Sequence, residues 1–278
     1  MKYLLPLIIF IFSFNCIAQQ KKTDTQIRFI ATYSTTWQPD SLDASSKIDN
    51  AIFNLFIFEE GSLYIDRNRL VLDSLMFEAD KRGNSISLLS NINSLPKPIS
   101  NNQILKNHKE NELYSLNLLS GFAFKFKENI NLMKWKIISE TKIINTYKCQ
   151  KAITNFAGRD YIAWFTSEIP ITDGPYKFNG LPGLIVEIYD TKNHYHFQLI
   201  NFKKSRNSNK IVSLKSFDEA KLISKAEYIK IRDSYLNNPI PMMESEGAVF
   251  SEEVKRKIME NTKLRNNRNN NRIELKNE

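Results

Sequence analysis

The central part of the chain, residues 132–202, consists of strand-length segments that are mostly separated by short turns. Apolar and polar residues alternate along several of these segments, and a period of two is typical of a β-strand with one buried face. Short turns connect antiparallel neighbours, whereas parallel strands need long crossovers. The region is therefore predicted to be an antiparallel meander, with strands at residues 132–140, 147–156, 161–166, 184–189 and 194–202.

The region before this meander adds strands and one helix. Residues 26–33 alternate in the same way, and residues 51–65 have the pattern of a hairpin with a glycine-containing turn. Residues 66–82 predict a helix that stops at a glycine. The polar segment 84–111 is predicted to be the least ordered internal part, with a weak helix signal over residues 107–119.

The C-terminal third is predicted to be helical. Ser216 and Ser224 are each followed three residues later by glutamate, which is the pattern of a capping box at a helix start. Ser251 is placed to cap a last helix that runs to about Leu264. The Asn- and Arg-rich segment that follows is too polar to bury and is predicted to be disordered.

These elements predict an α+β fold, with a mainly antiparallel, curved β-sheet, helices packed on one side of it, and a C-terminal helix plus polar tail. We expect three parts along the chain. Residues 1–18 are a signal peptide, residues 19–264 form a single β-rich domain, and residues 265–278 form a basic, Asn-rich tail.

The N-terminus has the pattern of a secretory signal. Lys2 precedes an apolar run over residues 4–14, and Ala18 provides a small residue for cleavage. The run is shorter than the roughly 20 apolar residues that span a bilayer. We therefore expect an exported protein of the periplasm or cell envelope. Lipidation at Cys16 is the alternative, although Asn15 precedes it where a small residue is usual.

Charge and cysteine content limit the remaining choices. After cleavage Cys149 is the single cysteine, so no internal disulfide can form; a buried inert thiol and a reactive one both remain open. The formal net charge is +9, and basic residues are concentrated near the C-terminus. Such a tail can contact anionic lipid or an acidic protein, or can simply be solvated. No nucleic-acid-binding motif is present, so nucleic acid is not an expected partner.

A Gly- and Pro-rich segment follows the third predicted strand of the meander. Proline fixes φ and removes an N–H donor, whereas glycine permits positive φ and close approach of another chain. The segment can therefore be a rigid turn that closes a sheet edge, or one wall of a ligand or partner site. The residues of this candidate binding loop are Gly174, Pro175, Gly180, Leu181, Pro182, Gly183, Leu184 and Ile185.

The six residues 180–185 spell Gly-Leu-Pro-Gly-Leu-Ile, and the chain resembles the GLPGLI family of exported bacterial proteins. Flanking residues match the family pattern from residue 135 to residue 202, including Cys149, Gly158-Arg159 and Ala163-Trp164. Near the end, Asn271, Ile273, Glu274 and Leu275 resemble its usual ending, with Arg272 where proline is common. The family has no established activity, so the resemblance implies no catalytic residue.

The sequence contains few signs of catalytic or metal chemistry. The histidines are His108, His194 and His196. His194 and His196 lie on one face of a predicted strand and can supply two metal ligands, but a third would have to come from a carboxylate elsewhere, and no histidine has the setting of a Ser-His-Asp triad. No nucleophile elbow, zinc-protease, P-loop or dinucleotide motif is present. A pair of carboxylates for glycoside hydrolysis stays conceivable among Glu168, Asp173, Glu187 and Asp190. No catalytic residue, metal or cofactor is predicted.

Aromatic residues are dense around the Gly-Pro segment. They can form a core, or they can line a concave apolar pocket for an acyl chain or peptide. The candidate pocket residues are Trp135, Trp164, Phe165, Tyr176 and Phe178. The leading hypothesis is a non-catalytic envelope protein that binds a partner, for example an outer-membrane protein, through sheet edges and the basic tail. A periplasmic carrier of an apolar molecule is the alternative, and an unrecognised hydrolase ranks third.

Overall fold

The computed structural model describes residues 24–83, 94–205 and 211–276. Its strands, numbered along the chain, are β1 (Asp24–Gln26), β2 (Phe29–Trp37), β3 (Ile48–Ile57), β4 (Gly61–Asp66), β5 (Gln103–Asn107), β6 (Glu112–Leu119), β7 (Phe122–Asn129), β8 (Lys136–Ile144), β9 (Tyr147–Phe156), β10 (Arg159–Thr166), β11 (Leu184–Asp190), β12 (Tyr195–Lys204), β13 (Ile211–Ser213) and β14 (Lys221–Leu222). The α-helices are α1 (Arg67–Lys81), α2 (Lys215–Glu219), α3 (Lys225–Asn237), α4 (Ile240–Ser245) and α5 (Glu252–Arg268).

Two antiparallel meanders build one 12-stranded sheet. The first meander runs from β2 to β7 and the second from β8 to β12, and the two are joined by pairing of β2 with β12. Within the described residues, β14 is parallel to its neighbour β7, and β1 pairs with β13 in a separate two-stranded sheet. The prediction of a mainly antiparallel sheet is confirmed.

Four of the five predicted strands of the central region lie within two residues of the observed strands at each end, whereas the strand predicted at residues 132–140 is observed four residues later, as β8. The strand predicted at residues 147–156 is β9, and the predicted hairpin is formed by β3 and β4. The weak helix prediction over residues 107–119 is wrong, because most of this stretch forms β6, which pairs along its length with β5 and β7. Tertiary pairing of this kind overrides a weak local preference. Residues 84–93 of the segment expected to be least ordered lie outside the described residues.

Both faces of the sheet carry buried apolar side chains. Ala31 and Tyr33 project from β2 into the main core, and we call this side the core face. Ile30, which points the opposite way from the same strand, packs in a second cluster with Phe217 of α2. On the core face, Tyr228 of α3 packs in a third cluster on β7. Helices therefore lie on both sides rather than on one side as predicted, because apolar residues on both faces need cover.

The helix starts follow the predicted caps in two of three cases. The Ser224 hydroxyl accepts from the backbone of Glu227, and the Ser251 hydroxyl accepts from Val254. Ser216 is not a cap, because α2 begins one residue before it, at Lys215. The residue at the N-cap position of α2 makes no side-chain hydrogen bond to the helix. The last helix, α5, continues to Arg268 rather than to Leu264.

The residues after α5 also differ from the expected disordered tail. Asn271 is buried, and the backbone of Leu275 is hydrogen-bonded to Ala157. Buried hydrogen bonds to other parts of the chain compensate for the polarity that predicted disorder. Among the described residues, no helix has the length and apolar character needed to cross a bilayer.

Asp66 joins two parts of the first meander. Its Oδ1 accepts from the N–H groups of Asn68 and Arg69 at the start of α1, and its Oδ2 accepts from Ile99 and Ser100. Because four N–H groups lose a charged acceptor, we expect Asp66→Ala to lower the free energy of unfolding by about 2–4 kcal/mol in urea titration. Ser251→Ala, at an exposed cap, is the control and should lower it by about 1 kcal/mol or less. Equal losses would contradict the role given to Asp66.

Candidate functional site

The connection between β10 and β11, residues 167–183, is the motif loop. Its backbone folds back on itself: Leu184 N–H donates to the Ile169 carbonyl at 3.0 Å, and Ile185 N–H donates to the Asp173 carbonyl at 3.0 Å. Gly183 has a φ of +153°, and a Cβ there would lie 2.1 Å from the Thr166 carbonyl oxygen. Glycine is therefore required where the loop meets the end of β10.

The structure brings the predicted binding-loop residues together but buries most of them. Leu181, Leu184 and Ile185 are almost fully enclosed in the main core, and Gly174 and Pro175 are also buried. The exposed members of the set are Gly180 and Pro182. The loop thus contributes apolar side chains to the core face.

A buried ion pair ties the motif loop to β5. Lys106 Nζ donates to Asp173 Oδ1 at 2.5 Å and to the carbonyls of Gly174 at 2.7 Å and Phe178 at 3.2 Å. Both charged side chains have 0% exposure. The three donors of the ammonium group are all used, which is the condition under which a buried charge is tolerated. His108 Nε2 lies 3.3 Å from Asp173 Oδ2 at the exposed end of this cluster.

Electrostatics favours the charged form of Asp173. Burial alone would raise the pKa of this carboxyl, but the Lys106 ammonium and His108 outweigh burial and bring the pKa to about 2. Burial lowers the pKa of Lys106, and the Asp173 carboxylate opposes that change. The pair is therefore a structural clamp with an ionised aspartate, rather than a neutral acid ready to donate a proton.

A second charged cluster holds the other side of the loop. Lys177, also fully buried, contacts Glu128 of β7 and lies 2.6 Å from Glu274 near the C-terminus. The Tyr176 hydroxyl donates to Glu274 at 2.5 Å, and Lys225 of α3 contacts Glu128 at 2.8 Å. Alternation of cations and carboxylates compensates each buried charge. The cluster joins the loop, β7, α3 and the C-terminal segment.

All five predicted pocket residues are buried in the core or packed against it rather than lining an open cavity. Phe178 lies at the centre, with its ring 4.7 Å from that of Tyr161 and 6.1 Å from that of Tyr176. Phe165 is buried in the same cluster. Trp135 packs against that cluster, and its indole N–H donates to the Asn179 carbonyl at 2.7 Å. These aromatic rings fill the space that a ligand would need.

Trp164 lies on the opposite face of the sheet. It pairs across strands with Glu187, and the Lys142 ammonium lies 4.3 Å from its ring centroid, a cation–π contact. Lys142 also contacts Glu187 at 2.7 Å, and His196 contacts the other oxygen of Glu187 at 3.0 Å. Trp164 is itself only 4% exposed, so these polar side chains cover its ring rather than border an open cavity.

The predicted carboxylates and histidines do not converge on one site. His194 contacts Arg159, whereas His196 contacts Glu187. In the part of the chain that the structure describes, no three His, Cys, Asp or Glu side chains are grouped as a metal site would require. The carboxylates bind separate partners: Glu168 accepts from the backbone of Lys148, Asp173 pairs with Lys106, Glu187 with Lys142, and Asp190 with Arg159.

Cys149 is enclosed within the sheet. Burial raises the pKa of its thiol to about 11, so the nucleophilic thiolate is scarce at neutral pH. Of the two readings left open by the sequence, the structure favours the inert thiol.

Arg159 connects β10 to the segment that follows α5. This segment, residues 270–276, is called the strap. The Arg159 guanidinium donates to Asp190 at 3.1 Å on one side, and to the Arg272 carbonyl at 2.6 Å and the Asn271 side chain on the other. Arg159 is buried, so its position depends on these partners.

Sequence reasoning missed the charged residues that organise this region. Lys106, Glu128 and Arg159 were not singled out as site residues, although Arg159 and Glu274 belong to the stretches that resemble the family. One available signal was Lys106 itself, which sits at an inward-facing position of β5 two residues after the fully buried Ile104. A lysine at such a position predicts a buried acidic partner.

Comparison with known proteins supports the fold and assigns no activity. A family model described as a protein of unknown function (Porph_ging) matches residues 157–187, a stretch that spans β10 and the motif loop. No curated protein sequence matches the chain. Two solved structures of PNGF-II, in space groups P21 and C2, are similar to it, with TM-scores of 0.51 and 0.50 and sequence identities of 15% and 16%. Each covers 73% of this chain, which spans about a third (32%) of PNGF-II.

The Lys106–Asp173 pair can be tested by a double-mutant cycle. Lys106→Met leaves the Asp173 charge buried without its main partner, so the free energy of unfolding should fall by about 3–5 kcal/mol. The double variant Lys106→Met/Asp173→Asn removes both charges and should recover part of that loss. Chemical denaturation of the four proteins measures the coupling. Additive losses would show that the pair is not coupled.

The same pair predicts a specific acid response. The pKa of Asp173 is lower in the folded chain, about 2, than the ordinary 3.8, so its stabilising contribution is complete above about pH 4 and is lost as the pH falls toward 2. Wild-type stability should fall by roughly 2 kcal/mol over this window through Asp173 alone. Asp173→Asn should have a shallower acid slope, whereas exposed Asp49→Asn should keep the wild-type slope.

Proposed function

We propose that this chain is an exported cell-envelope protein of the GLPGLI type with a non-catalytic, partner-binding role. The secretory pattern of residues 1–18 and the Gly-Leu-Pro-Gly-Leu-Ile sequence support this proposal. The family-model match over residues 157–187 covers the motif loop and agrees with a family of unknown function. The observation that carries the partner-binding role is the outer edge of β8, beside which no further strand lies in the described part of the chain.

The contacts of the motif loop support the proposal of a curved sheet. The loop leaves the sheet between β10 and β11, yet it contacts Lys106 on β5 and Glu128 on β7, which lie several strands away in the sheet order. A sheet that bends around the loop brings these strands together. The interior of such a sheet is occupied by Phe178 and Leu181 of the chain itself. This filling favours partner binding over carriage of an apolar molecule in the interior.

β8 offers an edge for β-strand addition. It lies at one end of the 12-stranded sheet, and among the described residues β9 is its sheet neighbour. Ile137 and Ile143 project from it with 46% and 69% exposure. An unpaired strand edge provides backbone donors and acceptors for an extended segment of a partner, while exposed side chains provide specificity. Two features of β8 limit unselective pairing. One is an irregularity in the β8–β9 register, and the other is the set of charged side chains Lys136, Glu140 and Lys142.

The basic character of the C-terminal region resides largely in α5. Lys255, Lys257 and Arg256 form ion pairs with nearby glutamates, which leaves this part of the helix with mixed charge. Exposed Lys263, Arg265 and Arg268 lie nearer its C-terminal end. We propose that this end adds long-range attraction to an acidic partner, whereas β8 provides the specific contact.

Partner binding at β8 can be tested by crosslinking in the cells that produce the protein. A photo-reactive residue at exposed Thr141 should give a discrete adduct, and adding Ile143→Lys should remove it, since a lysine at a strand edge opposes pairing. Ile200→Lys is the matched control, because Ile200 is 51% exposed but lies on the internal strand β12. The adduct should persist in the control. If the two variants have equal melting temperatures and give the adduct in equal amounts, the result would contradict the role of β8.

Native mass spectrometry separates partner binding from carriage. Protein purified from the periplasm should have the mass of residues 19–278 alone, because the interior of the sheet is filled by the motif loop. Extra mass that leaves on denaturation would favour the carrier alternative. A mass that includes residues 1–18 or a lipid on Cys16 would contradict cleavage after Ala18.

A further inference from the structure

The strap lies across the fold as an extended peptide lies in a receptor groove. It has no helix or strand, yet its backbone is bonded at both ends. Asn271 N–H donates to the Pro39 carbonyl at 2.9 Å, and the Tyr195 hydroxyl donates to the Asn271 carbonyl at 2.6 Å. Leu275 N–H and the following amide both donate to the Ala157 carbonyl, at 2.9 and 3.1 Å.

Arg159 donates hydrogen bonds to main-chain carbonyls in the middle of the strap. Nη2 donates to the Arg272 carbonyl at 2.6 Å and Nε donates to the Ile273 carbonyl at 3.1 Å. The remaining Nη1 is held by Asp190, which belongs to β11 and not to the strap. The guanidinium therefore keeps one charged partner that lies outside the strap. Contacts to main-chain carbonyls suit any extended peptide of the right length, and side-chain sites must supply the specificity.

Three side chains of the strap enter such sites. The Asn271 amide donates to the Gln38 carbonyl at 2.7 Å and is buried. Ile273 packs against the main core. Glu274 lies between Lys177 at 2.6 Å and the Tyr176 hydroxyl at 2.5 Å. The recognised pattern is thus Asn-x-Ile-Glu, which combines an amide, an aliphatic residue and a carboxylate.

One polar group of the groove is left without a bond. The hydroxyl of Tyr161 is buried and has no hydrogen-bond partner among the described residues, although it lies within electrostatic reach of Arg159 and Glu274. A buried hydroxyl is normally paired. The strap therefore does not satisfy every group in the groove that it occupies.

We propose that this groove is a peptide-binding site, that the strap is its ligand in cis, and that the strap of a second copy of this chain can occupy it in trans. The strap begins directly after α5, where Arg268 and Asn269 are exposed, so a change at this one junction would carry it to a neighbour. Exchange of an identical segment conserves every contact and is a low-cost route to dimers. The proposal uses no residue of β8 and is independent of the proposed function.

The test uses the full chain with a protease site inserted between Arg268 and Asn269. After cleavage, the strap peptide should stay bound during gel filtration, and an excess of labelled peptide 269–278 should replace it. A Glu274→Ala peptide should bind at least 10-fold more weakly. An Arg272→Ala peptide is the matched control and should bind within about fivefold of the original, because the buried contact is with the Arg272 carbonyl and the side chain forms only an exposed ion pair with Asp233.

Two results would overturn the peptide site. One is a cleaved chain that keeps its circular dichroism spectrum but takes up no labelled peptide. The other is a cleaved chain that unfolds when its strap leaves, since the strap is then a fixed part of the fold. Exchange between copies is measured by co-expressing two full chains with different tags. They should copurify, and Glu274→Ala in both should abolish copurification; failure of the unaltered chains to copurify would overturn the trans arrangement.

Discussion

The buried pair of Lys106 and Asp173 is the interaction on which the arrangement of the sheet depends. Two opposite charges with no exposure are tolerated only when every donor and most acceptors find partners. Lys106 meets this condition by binding two carbonyls of the motif loop as well as the carboxylate. The loop backbone must therefore keep one conformation, and the glycines and prolines of the loop restrict it to that conformation.

The second charged cluster and Arg159 also compensate buried charges, and they do so with groups from the end of the chain. Glu274 completes the partners of Lys177, and carbonyls of the strap complete those of Arg159. Burial and nearby cations have opposite effects on the pKa of Glu274, and the cations, led by Lys177, keep it below its ordinary value. Residues that are distant in sequence thus provide the opposite charges and hydrogen-bond acceptors that the buried ionised side chains require. This mutual dependence explains why a polar C-terminal segment is held against the sheet.

Local patterns predicted the strands, but they could not predict these partners. Tyr147–Phe156 was located correctly because alternation and a Gly-containing turn are both local signals. The motif loop was recognised as a site of backbone control for the same reason. Lys106 and Asp173 are 67 residues apart, and nothing local marks one as the partner of the other. The pocket prediction was limited similarly, because tertiary packing decides that these aromatic side chains are buried in the core, and strand alternation directs Trp164 away from Phe165.

The pairing of β2 with β12 sets an order of events for folding. Each meander contains contacts between neighbours in sequence and can begin to form independently of the other. The seam between the meanders joins Phe29 to Lys204, so it must wait until nearly three quarters of the chain exists. Contacts of such long sequence separation close slowly. Until then β2 and β12 are both exposed edges, and this interval is when the chain is most open to chaperones and to mispairing.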